Sequence, residues 1–112
     1  MTVTETFFTV EVNDMQRATS FYLNALEAVV VFASPTWSSL RIAVVRLCLF
    51  LHAEHRQRKV GLHFVVSDLE SASANVVRAG GLASGASIEV APGVVIAEVT
   101  DTEGNSFALR QT

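Results

Sequence analysis

"FFTVEVNDMQRATSFYLNAL" (residues 7–26) and "GLHFVVSDLESASANVVRAG" (61–80) align without a gap. Val12 meets Val66, Asp14 meets Asp68, Met15 meets Leu69, Ala18 meets Ala72 and Ala25 meets Ala79, so the chain contains one unit written twice. Each copy opens with β-branched and aromatic residues, which suit a strand. An aspartate follows whose carboxylate can accept hydrogen bonds from the first free amides of a helix. Met15, Ala18, Phe21, Tyr22 and Ala25 then form one helical stripe, and Leu69, Ala72, Val76 and Ala79 form the other. Gly80-Gly81 ends the second helix.

Working outward, each helix is followed by three short strand patterns. They fall at about 28–33, 38–44 and 46–52 in the first half and about 84–90, 94–99 and 105–110 in the second. "SPT" (34–36), "APG" (91–93) and "DTEGN" (101–105) mark the turns. The polar "AEHRQRK" (53–59) is the natural link. The fold class expected is α+β: one domain spanning 1–112, with a βαβββ module over about 5–53, a linker over about 54–59 and a second βαβββ module over about 60–112.

Composition narrows the partners. Hydrophobic residues make up 50% of 112 positions, which is more than one small core needs, and a homodimer would cover the surplus. The net charge is −3 and the only basic cluster is the short "HRQRK" (55–59), so nucleic acid is not an expected partner. The longest apolar run, "IAVVRLCLFL" (42–51), is too short to span a bilayer and is interrupted by Arg46, so no membrane partner is expected. A single cysteine, Cys48, allows no internal disulfide, and "MTVTETFF" lacks a basic segment leading into an apolar one; the expected location is cytoplasmic.

The duplicated pattern, with "VEVNDMQRATSFYLNAL" (10–26) in the first copy and "VTDTEGNSFAL" (99–109) closing the second, resembles the vicinal oxygen chelate superfamily. That superfamily includes glyoxalase I, extradiol dioxygenases, methylmalonyl-CoA epimerase, fosfomycin-resistance enzymes and bleomycin-binding resistance proteins. The resemblance implies two curled sheets around a cleft, with a divalent metal held by four side chains in the enzymes. The positions it implies for those ligands are Phe7 and Gly61, seven residues before Asp14 and Asp68, then Ala108 in "GNSFAL", and Cys48 or Phe50 in the first half. Phe7, Gly61 and Ala108 offer no donor, neither Cys48 nor Phe50 is the expected carboxylate, and hard or borderline cations need oxygen or imidazole ligands in fixed geometry. The sequence therefore predicts no metal and no cofactor.

Strand alternation then gives the rest of the cleft. Phe7, Thr9 and Glu11 are expected to face it, with Phe8, Val10 and Val12 turned to the helices. Gly61, His63 and Val65 follow on the strand of the second copy, and Arg46, Cys48, Phe50 and His52 on the strand before the link. Ser106, Ala108 and Arg110 share this face, with Ile96 and Glu98 beside them, and Trp37 lies on a nearby turn. Phe7, Phe50, Val65 and Ala108 would make an apolar floor, and Thr9, Glu11, Arg46, His63 and Glu98 its polar sides. His63 and Glu11 are the catalytic candidates, as an acid–base couple if their strands pair. Bland alternatives stand beside each: His63 as a packing residue, Glu11 as a solvated edge carboxylate, Cys48 as a small buried hydrophobe and Trp37 as an interface residue. "HAEH" (52–55) lacks a third and fourth ligand.

Three functions remain open at this point. The preferred one is a metal-free binding protein, similar to the bleomycin-resistance group, that holds a small aromatic or amphipathic organic molecule. The alternative is a metal-independent isomerase, cyclase or lyase using His63 and Glu11. A divalent-metal-dependent glyoxalase-like or dioxygenase-like enzyme comes third, because the donors are missing from the implied positions. A scaffold with a filled cleft is the fallback.

Overall fold

The computed structural model describes residues 2–112, and in it the two copies of the repeat fold alike. Strand β1 (Phe8–Val12) leads to Asp14, whose carboxylate accepts from the Arg17 amide at 3.0 Å, and helix α1 runs over Met15–Leu26. The first half continues with β2 (Val29–Phe32), β3 (Trp37–Ile42) and β4 (Val45–Leu51). Strand β5 (Arg58–Val66) opens the second half, and Asp68 accepts from the Glu70 and Ser71 amides at the start of α2 (Leu69–Arg78). Four strands follow: β6 (Leu82–Ala83), β7 (Ile88–Ala91), β8 (Val94–Thr100) and β9 (Asn105–Gln111).

The strands form two sheets. The first has the order β1-β4-β3-β2, and the second has the order β5-β9-β8-β6, with β7 also on β8. In each sheet the opening strand pairs in parallel with the closing strand, Phe8 opposite Leu47 and His63 opposite Ala108. The repeat is therefore preserved in topology, as the sequence predicts. One continuous core unites the halves. Val10, Val12, Leu47 and Leu49 of the first sheet, and Leu62, Val99, Phe107 and Leu109 of the second, pack with Phe21 and Tyr22 of α1 and Val76 of α2. Gly81 lies within this packing: a Cβ there would approach the Thr100 carbonyl oxygen to 2.4 Å and the Phe21 ring to 2.7 Å, so any side chain would push α2 off the sheet.

Two boundaries differ from the sequence reading. Strand β5 begins at Arg58, inside the stretch read as a linker, because the Arg58 guanidinium is anchored. It donates to the Glu11 carbonyl at 2.8 Å and to Asn105 Oδ1 at 3.2 Å. The stretch read as one strand over 84–90 is split into β6 and β7. There the Ser84 hydroxyl bonds both peptide groups of Ala86, which gives the backbone a local alternative to the ladder.

The halves are locked by the turn between β8 and β9. Asp101 accepts from the Tyr22 hydroxyl at 2.5 Å and from the backbone amides of Glu103 and Asn105. Glu103 reaches back to the first helix, accepting from the Asn13 and Asp14 amides at 2.8 and 2.9 Å and from the Arg17 guanidinium at 2.7 and 3.0 Å, while the Thr102 hydroxyl donates to it as well. Gly104 turns the chain at φ +89°, where a Cβ would come within 2.9 Å of the Arg56 carbonyl oxygen. Burial alone would raise the pKa of Glu103, but the bonds from Arg17, Thr102, Asp14 and Asn13 outweigh it and hold the value at about 2, against 4.5 ordinarily. Burial and the neighbouring Asp101 push the Tyr22 hydroxyl well above its ordinary pKa, so it stays protonated and donates.

A carboxylate depressed in the folded state stabilises at pH above its unfolded value, and that contribution is lost as pH falls through the folded value. Glu103→Gln is expected to cost about 2–3 kcal/mol at pH 7 in urea denaturation. The loss of stability between pH 4.5 and about 2 should be shallower in that variant than in the wild type.

Candidate functional site

Each sheet turns one face to the helices and leaves the other free of them. Strand register maps the free face of the first sheet row by row. Thr9 lies opposite Cys48, Cys48 opposite Ser39 and Ser39 opposite Phe32. To one side Glu11, Phe50 and Trp37 form a row; to the other Arg46 faces Arg41, and Arg41 faces Val29. The second sheet repeats the central row as His63, Ala108 and Glu98, with Val65, Arg110 and Ile96 beside it. Thr9 and His63 are thus equivalent positions, as are Cys48 and Ala108.

Of the residues assigned by alternation to the cleft, Thr9, Glu11, Arg46, Cys48, Phe50, His63, Val65, Ala108 and Arg110 lie in these rows, as do Ile96 and Glu98. Val10 and Val12 are buried against the helices, whereas Phe8, with the same parity, is half exposed at the start of its strand. Cys48 and Ala108 are buried at the centre of their rows, and the Cys48 thiol lies 3.8 Å from the Ser39 hydroxyl. Around them large apolar side chains stand open: Phe7 is 47% exposed, Phe50 44%, Phe32 56% and Val65 58%. Trp37 packs between Phe7 and Phe50, with both ring centroids 6.2 Å away, edge-on to Phe7 and tilted to Phe50. Because both faces stay this exposed, neither half covers the other within one chain. Strands β1 and β5 are the edges of separate sheets and do not pair.

That arrangement alters the expected acid–base couple. Glu11 is not bonded to His63; its Oε2 lies 3.5 Å from both Arg56 and Arg58, and no hydrogen bond completes its shell. His63 is exposed on the outer edge of its sheet, beside a groove of about 690 Å³ that runs on to Asp68 and Asn75. Glu98, in the same row as His63, lies 3.8 Å from the Lys59 ammonium. His52 does not join the face, since its Nδ1 accepts from the Glu54 amide within its own turn. Arg46 does join it, and its guanidinium donates to Glu5 at 2.5 Å. Arg41, Ser39, Phe32 and Glu5 were not anticipated. A tight hairpin pairing Ile42 with Val45 brings Arg41 opposite Arg46, a register legible once Ala43 and Val44 are taken as a two-residue turn.

The divalent ion implied by this fold does not suit these donors. The central rows offer Thr9, Cys48 and Ser39 in one half and His63, Ala108 and Glu98 in the other. His63 and Glu98 stand two strands apart, about 10 Å between backbones. No group of three or more His, Cys, Asp and Glu side chains able to hold a metal is assembled among the described residues.

No protein-family model matches the chain, and no curated protein matches it by sequence. Solved structures do resemble it. A mutant of the fosfomycin resistance protein FosX from Listeria monocytogenes, complexed with Mn(II) and dihydroxypropylphosphonic acid, superposes with a TM-score of 0.81 at 16% identity, covering 98% of this chain and 90% of that one. A glyoxalase/bleomycin resistance protein/dioxygenase family enzyme from Burkholderia phytofirmans PsJN gives 0.80 at 17% identity, covering 93% and 95%. A glyoxalase-related enzyme from Fulvimarina pelagi gives 0.74 at 15%, covering 98% and 89%. The chain therefore shares the fold of these structures.

If the aromatic face is open surface and not core, truncating it costs little stability. Phe50→Ala is expected to lose less than about 1 kcal/mol, while Leu49→Ala, one residue away on the helix side, loses about 2–5 kcal/mol. Urea denaturation followed by circular dichroism separates the two, and the emission of Trp37, the only tryptophan, should shift in Phe50→Ala.

Proposed function

We propose that this protein binds a small aromatic organic molecule without a metal, on the free face of its first sheet and in the manner of a bleomycin-resistance-like binder. The observation that carries this reading is the exposed cluster of Phe7, Trp37 and Phe50 around the buried floor at Cys48. Large apolar rings with a few polar groups nearby describe a small-molecule site. Rings held edge-on to one another also present faces on which a planar ligand can stack. The unsuitability of the donor rows for a divalent ion supports the same reading.

We further propose that a second copy of the chain completes the site. Phe32 on β2, Val65 on β5 and Ile88 on β7 are all more than half exposed, and β1 and β5 each present an unpaired ladder. A homodimer that sets the first sheet of one protomer over the second sheet of its partner would bury these residues and bring His63 toward the aromatic floor. A single cysteine, buried and without a disulfide partner, accords with the cytoplasmic location proposed here.

A second reading, a metal-independent isomerase or lyase, draws on His63 alone. Its imidazole is exposed on the free face, whereas Glu11 is engaged by Arg56 and Arg58. His63→Ala separates the readings: an enzyme loses turnover while keeping affinity, whereas a binding protein shows no turnover in either form and keeps its affinity within about threefold.

The direct test titrates a panel of aromatic compounds against the protein, read by Trp37 emission. Micromolar quenching by at least one class is expected, weakened about tenfold in Phe50→Ala. Quenching unchanged by Phe50→Ala and Phe7→Ala would place binding elsewhere. Sedimentation equilibrium at about 10 μM is expected to give a dimer.

A further inference from the structure

We infer that Arg41 and Arg46 form an anion-recognition site on the free face of the first sheet, that the carboxylate of Glu5 occupies it in the unliganded chain, and that the natural ligand is an aromatic carboxylic acid. The inference rests on the aromatic-binding reading above and names the ligand class for that site.

Two like charges directly opposite one another in an antiparallel pair repel, and such pairs destabilise a sheet. Arg41 and Arg46 are a cross-strand pair of this kind, one step along the strands from the row of Thr9, Cys48 and Ser39. Repulsion of this sort is retained at little cost where an anion bridges the two guanidiniums. Glu5 supplies that anion in part, with its Oε1 2.5 Å from the Arg46 Nη1. Arg41, by contrast, is exposed and has no ion-pair partner among the described residues.

The placement of Glu5 defines the site. It is carried by a segment without regular structure that precedes β1, and both members of the pair are solvent-exposed, so the contact is weakly held. A free carboxylate could take its place and use the planar fork of Arg46 together with Arg41. Phe7 lies only two residues beyond Glu5 and packs edge-on against Trp37, which puts the anion site beside the aromatic floor. A planar ring on that floor with a carboxylate toward the arginines meets both features at once. Glu5 then acts as an internal competitor that any ligand must displace.

The test compares 2-naphthoate with neutral 2-naphthol, read by Trp37 emission and by calorimetry, in the full chain and in Arg41→Gln, Arg46→Gln and Glu5→Gln. Naphthoate is expected to bind about tenfold more tightly than naphthol. That advantage should vanish in either arginine variant, and Glu5→Gln should raise naphthoate affinity severalfold while leaving naphthol unchanged. Equal binding of the two probes, insensitive to all three substitutions, would overturn the anion site and leave the aromatic site standing. Arginine-dependent naphthoate binding that ignores Phe50→Ala, with no naphthol binding, would keep the anion site and remove the aromatic one. Binding of neither probe up to millimolar concentration would remove both. All three substitutions are at exposed positions, and Glu5→Gln predicts a gain in affinity that a folding defect would not produce.

Discussion

The buried carboxylate of Glu103 is the interaction on which the rest of the molecule depends. It comes from the closing turn of the second half and is met by the cap of the first helix, where two backbone amides and the Arg17 guanidinium converge on it. Burying that charge would be costly were any of these donors absent. With them in place the turn is held against α1, Asp101 meets the Tyr22 hydroxyl, and the two sheets share one core. The helices and helix-facing strands consequently lie inside, and both free faces are turned outward. The lock between the halves is therefore also what leaves the aromatic surface uncovered.

From that constraint follows the character of the site. A cleft closed within one chain would let Glu11 and His63 work together; here they sit on the edge strands of separate sheets, and Glu11 is engaged by Arg56 and Arg58. What the fold presents instead is an open face: aromatic rings over a buried floor, with arginines at one end and a carboxylate held by arginines at the other. Affinity at such a surface comes from stacking and from charge placed at its margin, and a second protomer would add desolvation to both.

Much of this was legible in the sequence. The gap-free repeat fixed two βαβββ units, the aspartates marked the helix starts, and alternation assigned Phe7, Thr9, Cys48, Phe50, His63, Val65 and Ala108 to one face, because these features depend on neighbours in sequence. What escaped depends on distant partners. Glu103 pairs with groups about ninety positions away, and nothing local in "DTEGN" distinguishes a latch from a turn. Arg58 entered the strand because of bonds to Glu11 and Asn105, and polar residues in a linker give no hint of them. The break at Ser84 reflects a side chain competing with the ladder, which an apolar pattern cannot reveal. The Arg41–Arg46 pair is the exception, because the two-residue Ala43-Val44 turn that sets its register is local in the sequence.

The most direct measurement is a two-dimensional NMR titration of the protein with 2-naphthoate, following the aromatic resonances of Phe7, Trp37 and Phe50 and the guanidinium Nε signals of Arg41 and Arg46. Shifts concentrated on these five residues, with the helix face silent, are the result predicted here. Shifts confined to α1, α2 or the groove beside β5, or none at saturating ligand, would contradict the assignment of the free face of the first sheet as the binding site.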